Sequence, residues 1–193
     1  MRTAVIAVCA LTLAVAVVAG VRQARDSAGA SAPDALSLSE VSQPVAGAPP
    51  QLAALRREVN VLRDGGVKAF EAQLRALRGR PVVVNFWASW CAPCRRELPS
   101  FQREANARGA RVAFLGVNVT DDRDEARKLL DDVPLPYPSF SDPRSNIATG
   151  VFRARAFPTT AFYDARGELA IVRQGEFANR AALADAIDRY ALR

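Results

Sequence analysis

Cys91 and Cys94 stand three positions apart in residues 85–101, NFWASWCAPCRRELPSF, directly behind Trp90. Two thiols at this spacing can hold a metal, close a structural bridge or trade electrons. A structural zinc site takes four ligands, usually drawn from a second such pair or from histidines. The chain has three cysteines and no histidine, so it supplies neither. A bridge across so short a loop removes little entropy from the unfolded chain, which leaves a purely structural disulfide little to contribute.

Electron exchange has positive support. The run VVVNFW, residues 82–87, reads as a strand, a short turn carries Trp90, and Cys91 arrives at the first turn of a helix. Unpaired backbone N–H groups and the positive end of the helix dipole stabilise a thiolate there, and Arg95 and Arg96 stand nearby in sequence. Cys91 is therefore the expected nucleophile. Cys94, one helical turn on, lies farther from those N–H groups and is expected to be less exposed. It attacks the mixed disulfide formed at Cys91, releases the partner reduced and leaves a Cys91–Cys94 disulfide behind. That redox-active pair is the whole equipment expected, with no cofactor and no metal. Ala92 and Pro93 fill the loop between the thiols, and Pro93 suits a helix's first turn.

Composition narrows the field further. Without histidine there is no imidazole to act as base or ligand. Net charge is +6, from 26 basic against 20 acidic residues, but the signs intermingle in stretches such as RREVNVLRDGG and TDDRDEARKLLDD. Interspersed charge without interleaved aromatics describes a solvated surface rather than a nucleic-acid track.

At 193 residues, half of them hydrophobic, the chain can bury one substantial core, which favours a single domain plus an appendage. Residues 4–21, AVIAVCALTLAVAVVAGV, carry no charge and are flanked by Arg2, Arg22 and Arg25. Their length lies between a signal peptide's apolar region and the roughly 20 residues of a membrane span. A retained anchor and a cleaved signal both stay open, with small-residue patterns at Ala14 to Ala16 and Val17 to Ala19. Either one exports the remainder of the chain to the periplasmic or cell-envelope face. Cys9 in IAVC resembles a lipidation box, yet Val8 stands where a small residue is wanted, so Cys9 reads as a small buried hydrophobe. Residues 1–25 are thus signal or anchor. Residues 26–50, rich in Ala, Ser, Pro and Gly without a period, read as a flexible linker. Residues 51–193 form the folded domain, of which 51–79 are a helical extension.

Within the domain, Leu52, Leu55, Val59 and Leu62 recur at helical spacing, Gly65 and Gly66 break the run, and Val67, Phe70, Leu74 and Leu77 resume it. Residues 82–87 are a strand buried on both faces. Leu98, Phe101 and Ala105 share a helix face that Pro99 should kink, and RVAFLGVNV is a second buried strand. TDD caps a helix carrying Ala126, Leu129, Leu130 and Val133. PLPYPSF reads as an extended loop, and a short helix is expected to begin near Pro143. TTAFY and ELAIV form an antiparallel hairpin across DARG, and Asn179 caps a final helix with Leu183, Ile187 and Tyr190 on one face.

NFWASWCAPC followed much later by FPTT resembles the thioredoxin superfamily, and GRPVVVNFWASWCAPCRRELP is similar to its TlpA/ResA branch of exported thiol-disulfide oxidoreductases. The likeness covers roughly residues 74–190. It implies an α/β, thioredoxin-like fold: a central mixed β-sheet flanked by helices, with added central helix-strand material. Carried over by position, Cys91 attacks, Cys94 resolves, and a cis bond precedes Pro158 beside the sulfurs. A proline there offers neither an N–H nor a metal-binding side chain.

Asn85 departs from thioredoxin itself, where a buried aspartate at the matching place helps to move protons. In the ResA-like branch a glutamate three residues after the second cysteine is implicated instead, and Glu97 stands there. Burial would raise its pKa and suit it to exchanging the proton of Cys94. The alternative is a solvated helix carboxylate paired with an Arg. Trp87 reads as core and Trp90 as part of the docking surface. Phe157, where the branch often has glycine, is expected to narrow the groove for a partner peptide. Thr159 starts a strand, with a hydrogen bond near the sulfur as the lesser alternative.

The resemblance implies an extracytoplasmic protein-disulfide reductase, membrane-associated through its N-terminal segment and recharged by a membrane thiol reductase. Its clients are disulfide-bearing proteins, with apocytochrome c, in cytochrome c maturation, drawn from family analogy alone. An oxidase or isomerase is the runner-up, because about 30 mV, or about 1.4 kcal/mol, shifts a two-electron couple appreciably and Ala92-Pro93 does not settle it. A peroxidase would need a threonine placed before Cys91, which is missing. A metal-delivery module on this fold, such as a copper carrier, generally adds a histidine. A catalytically silent binding module is disfavoured by the intact cysteine pair.

Overall fold

The computed structural model describes residues 35–193, so the expectations for the apolar segment, Cys9 and the first part of the linker lie outside the described residues. Among the described residues no helix is long and apolar enough to cross a membrane.

The β-branched run Val82–Trp87 forms strand β2, with every residue buried, at the centre of a six-stranded sheet. It pairs in parallel with β3, Ala113–Val119, and antiparallel with β5, Thr159–Tyr163. Beyond β3 lie β4, Ser139–Asp142, and the short β1, Leu62–Arg63, both parallel; beyond β5 lies β6, Leu169–Gln174, antiparallel. The order is therefore β1-β4-β3-β2-β5-β6, a mixed sheet.

Because side chains alternate along a strand, β2 feeds two cores. Val83 and Trp87 join the long helix Ala92–Arg108, the helix Arg123–Asp132 and the last helix Arg180–Tyr190 on one face. Val82, Val84 and Phe86 join Pro50–Arg56, Gly66–Ala76 and a π-helix at Asn146–Val151 on the other. With a first short helix at Leu38–Val41, the α-helices in chain order are α1 (38–41), α2 (50–56), α3 (66–76), α4 (92–108), α5 (123–132) and α6 (180–190). Their starts carry the expected signals: Asp122 accepts from the N–H groups of Asp124 and Glu125, and Asn179 from that of Ala182. α4 continues through Pro99, which is buried within it.

Four differences from the sequence expectations have tertiary causes. The helix read through Leu62 stops at Arg56, because Asn60 turns left-handed (φ 60°) and ties its backbone and amide to Leu130 and Leu135. Leu62 is thereby released to pair with Ser139 as β1. The proline-rich loop ends in β4, whose four residues carry no strand pattern of their own and are held by β3 and β1 on either side. The following helix begins at Asn146, beyond Pro143, where the Asp142 carboxylate accepts from the N–H groups of Ile147 and Ala148 at 3.0 and 2.9 Å. Residues 35–50, read as linker, pack on the domain: Val41 is buried, and the buried Gln102 amide brackets Leu36 on both its N–H and its carbonyl while also donating to Pro134.

Candidate active site

The site is built where β2 ends and α4 begins. Between them, the Ser89 N–H and hydroxyl both donate to Asp121 at 2.6 Å, and Asn118 donates to the same carboxylate at 2.7 Å. Asp121, at the end of the neighbouring strand, thus holds the turn that delivers Cys91. Nothing local in the sequence marks this role, since Asp121 lies 32 residues from Ser89.

Cys91 is the N-cap of α4, and its sulfur accepts the N–H of Cys94 at 3.3 Å. The two cysteines are joined as a disulfide, with their Cα atoms 5.2 Å apart. Cys94 is fully buried and Cys91 retains 4% exposure, so Cys94 is the less exposed of the two, as its later place in the helix led one to expect. Between them Ala92 is exposed and Pro93 half-buried. Of the two arginines expected to support a thiolate, Arg96 is engaged elsewhere: it forms a two-pronged ion pair with Glu176, at 2.7 and 3.1 Å, and that contact raises its pKa. Arg95 is exposed.

One turn beyond Cys94, Glu97 is 3% exposed, so it is not a solvated carboxylate. Burial pushes its pKa up to about 8, opposed by the Phe177 N–H, reinforced by the charge of Glu176 and opposed again by Asn85 and Arg173. Asn85 Nδ2 donates to one carboxylate oxygen at 3.2 Å and the Phe177 N–H to the other at 3.3 Å. The fully buried Tyr137 phenol is pushed well up by burial first and by the Glu97 charge second. Phe177, Glu176 and Tyr137 come from distant parts of the chain, so their convergence on Glu97 leaves no mark in sequence spacing.

The Phe157–Pro158 bond is cis. The register that pairs Phe86 with Thr159 brings Pro158 to the end of the sheet from which the chain runs on to Cys91. Thr159 is buried at the start of β5, and its hydroxyl donates to the Ala156 carbonyl at 2.6 Å, closing the turn rather than reaching for sulfur. Phe157, half-buried, meets Trp90 edge-on at 6.4 Å. Trp90 is 59% exposed yet anchored, its indole N–H donating to the Thr120 carbonyl at 3.0 Å. Trp87 is core: it is fully buried and donates to Ser139 at 3.1 Å. A Cβ on Gly116 would meet Trp87 Nε1 at 3.0 Å and Ser139 Oγ at 2.1 Å, so this strand position has to be glycine. Among the described residues no group of three or more Cys, Asp or Glu side chains is placed to hold a metal.

The arrangement can therefore open and close a disulfide, with Cys91 at a helix N-terminus and a buried acid one helical turn beyond Cys94. Residues 52–172 match the AhpC/TSA family. The chain is 32% identical to the thiol-disulfide oxidoreductase ResA of Geobacillus kaustophilus over 111 residues, 56% of this chain and 62% of that one. It is 39% identical to the thiol:disulfide interchange protein DsbE of Pseudomonas fluorescens over 94 residues, 47% and 49% of the two chains. The chain spans about half to three fifths of the length of the curated relatives it matches. The structure of MTB dsbF superposes with a TM-score of 0.54 at 24% identity, covering 60% of this chain and 84% of that one, and bears out the thioredoxin-like fold.

Proposed function

The chain belongs to the AhpC/TSA family, and we propose that it is a thiol-disulfide oxidoreductase that reduces protein disulfides outside the cytoplasm. The observation that carries this reading is the Cys91–Cys94 disulfide at the start of α4, with Glu97 buried one turn further along. In the reduced protein, the Cys91 thiolate attacks a client disulfide; one client sulfur leaves as thiolate and a mixed disulfide forms. Cys94 gives its proton to the Glu97 carboxylate and attacks the Cys91 sulfur. The second client sulfur leaves, two electrons have passed to the client, and the Cys91–Cys94 disulfide remains.

Trp90, Ala92, Pro93, Phe157 and the cis Pro158 form the docking surface in this scheme, with Trp90 and Phe157 meeting edge-on across it. The names of the ResA and DsbE relatives support the chemistry. Direction, the cytochrome c client class, recharging by a membrane thiol reductase and tethering by residues 1–25 belong to the proposal, supported by family likeness and by the apolar N-terminal run.

The test is the reduction potential of the Cys91–Cys94 couple in defined thiol buffers, combined with turnover of a disulfide substrate. A potential near about −270 mV makes client reduction favourable. One near about −120 mV reverses the direction to disulfide insertion. Cys91→Ser protein that turns over a disulfide as well as wild type would end the reading.

A further inference from the structure

The two oxygens of Glu97 each take one donor, Asn85 Nδ2 on Oε1 and the Phe177 N–H on Oε2. This suits an ionised carboxylate, which can only accept. Asn85 is 1% exposed, and its other amide atom, Oδ1, has no hydrogen-bond partner among the described residues. An orphaned amide oxygen in a core carries a desolvation penalty and calls for a physical account.

Protonation of Glu97 inverts the requirement, because the carboxyl then has an O–H to give. Asn85 is already within hydrogen-bond distance of it, and a half turn about χ2 exchanges Nδ2 for Oδ1 with almost no change in side-chain shape. On β3 the residue paired with Asn85 is Gly116, where Ser139 Oγ and Trp87 Nε1 take the space a Cβ would fill; on β5 it is Thr160.

We propose that Asn85 is a positioning residue that turns its side-chain amide with the protonation of Glu97, donating through Nδ2 to the carboxylate and accepting through Oδ1 from the carboxyl. The inference rests on the proposed reaction in one respect: the proton that drives the turn is the one Cys94 gives up. The Cys94 S–H bond breaks, an O–H bond forms on Glu97, and the amide turns to accept it. When that proton leaves, the amide turns back, and no electron moves in the turn. The charged and titratable groups that act on Glu97 are Glu176 just beyond β6, Arg173 on β6 and the Tyr137 phenol ahead of β4, while Cys94 stands one turn earlier on α4; among the described residues Asn85 and Phe177 hydrogen-bond its carboxylate.

The experiment follows the Asn85 side-chain NH2 resonances and the Glu97 carboxyl carbon by NMR in the oxidised full-length protein, in which the cysteines do not titrate. The expected result is one shared midpoint, with the hydrogen bond from Nδ2 to Glu97 present only on its alkaline side. In Glu97→Gln the Asn85 signals should lose that pH dependence. Asn85→Leu, which can neither donate nor accept, should raise the Glu97 midpoint by about one pH unit. Asn85→Asp should instead split it into two coupled steps. Asn85 signals that stay fixed while Glu97 titrates would overturn the proposal, and this holds in wild-type protein even if the variants fold poorly. Co-titration of the two residues without any inflection in turnover would keep the amide turn and remove Glu97 from the reaction. An inflection in turnover with a fixed Asn85 would do the reverse.

Discussion

The backbone N–H of Cys94 points at the sulfur of Cys91, with 3.3 Å between nitrogen and sulfur. A sulfur thus fills the place that a serine or aspartate oxygen usually takes at a helix N-cap. When the disulfide is reduced, the same N–H and the dipole of a 17-residue helix favour negative charge on Cys91. Cys94 is buried deeper and lacks that position.

Reduced protein should therefore show two thiols of different character. Alkylation of Cys91 is expected to titrate below the ordinary cysteine value of about 8.5, and that of Cys94 above it. Cys91→Ser should abolish turnover. Cys94→Ser should trap the client on Cys91 as a mixed disulfide, visible by non-reducing electrophoresis and mass spectrometry. Equal pH dependence for both thiols would count against the helix-end argument.

Glu97 makes stability depend on pH in a direction opposite to that of most paired carboxylates. Its folded-state pKa, about 8, lies above the ordinary glutamate value of 4.5, so between these values the folded protein holds a proton that the unfolded chain has lost. Stability is complete below the lower value and falls as pH rises toward the upper one, by on the order of a few kcal/mol in all. Glu97→Gln should flatten this decline in denaturant titrations. The same substitution should remove an inflection near pH 8 from the rate of client release.

Glu176 acts on Glu97 through space while paired with Arg96 at the surface. Glu176→Gln removes a like charge, so the Glu97 midpoint should fall. An exposed ion pair contributes little to stability, so the melting temperature should scarcely move. A midpoint unchanged in carboxyl NMR would place the effect of Glu176 below detection.

At the proposed docking surface, Phe157→Gly removes the ring that meets Trp90 edge-on next to the cis Pro158. Competition between protein clients should change severalfold, while reduction of a small disulfide stays near wild type. Equal effects on both would locate the role of Phe157 in the fold instead.

Gln102→Ala tests the packing of residues 35–50. The variant loses the bonds to Leu36 and leaves the Pro134 carbonyl without its donor, which should cost about 2–4 kcal/mol and expose the segment around α1 to proteolysis. Wild-type resistance to protease would show that the short helix is held by Val41 burial alone.

The chemistry was legible in the sequence because it is local. A β-branched run, a turn and two thiols one helical turn apart define a strand-to-helix junction whatever surrounds it, whereas Glu97 was marked by the likeness to the ResA-like branch. The helix caps at Asp122 and Asn179 and the β5–β6 hairpin are local too, and the structure has them where their residues indicated. Tertiary structure decided what depends on pairs far apart in the chain. β1 and β4 are strands because β3 and each other offer hydrogen bonds, not because their own residues favour extension. Asp121 holds the turn before Cys91, Gln102 fastens a segment that composition marked as linker, and Phe177 and Asn85 hold the carboxylate of Glu97. Residue spacing along one strand or helix reports which face a side chain occupies; which partner meets it there, and so how strongly it holds a proton, is settled only when the sheet and helices close around it.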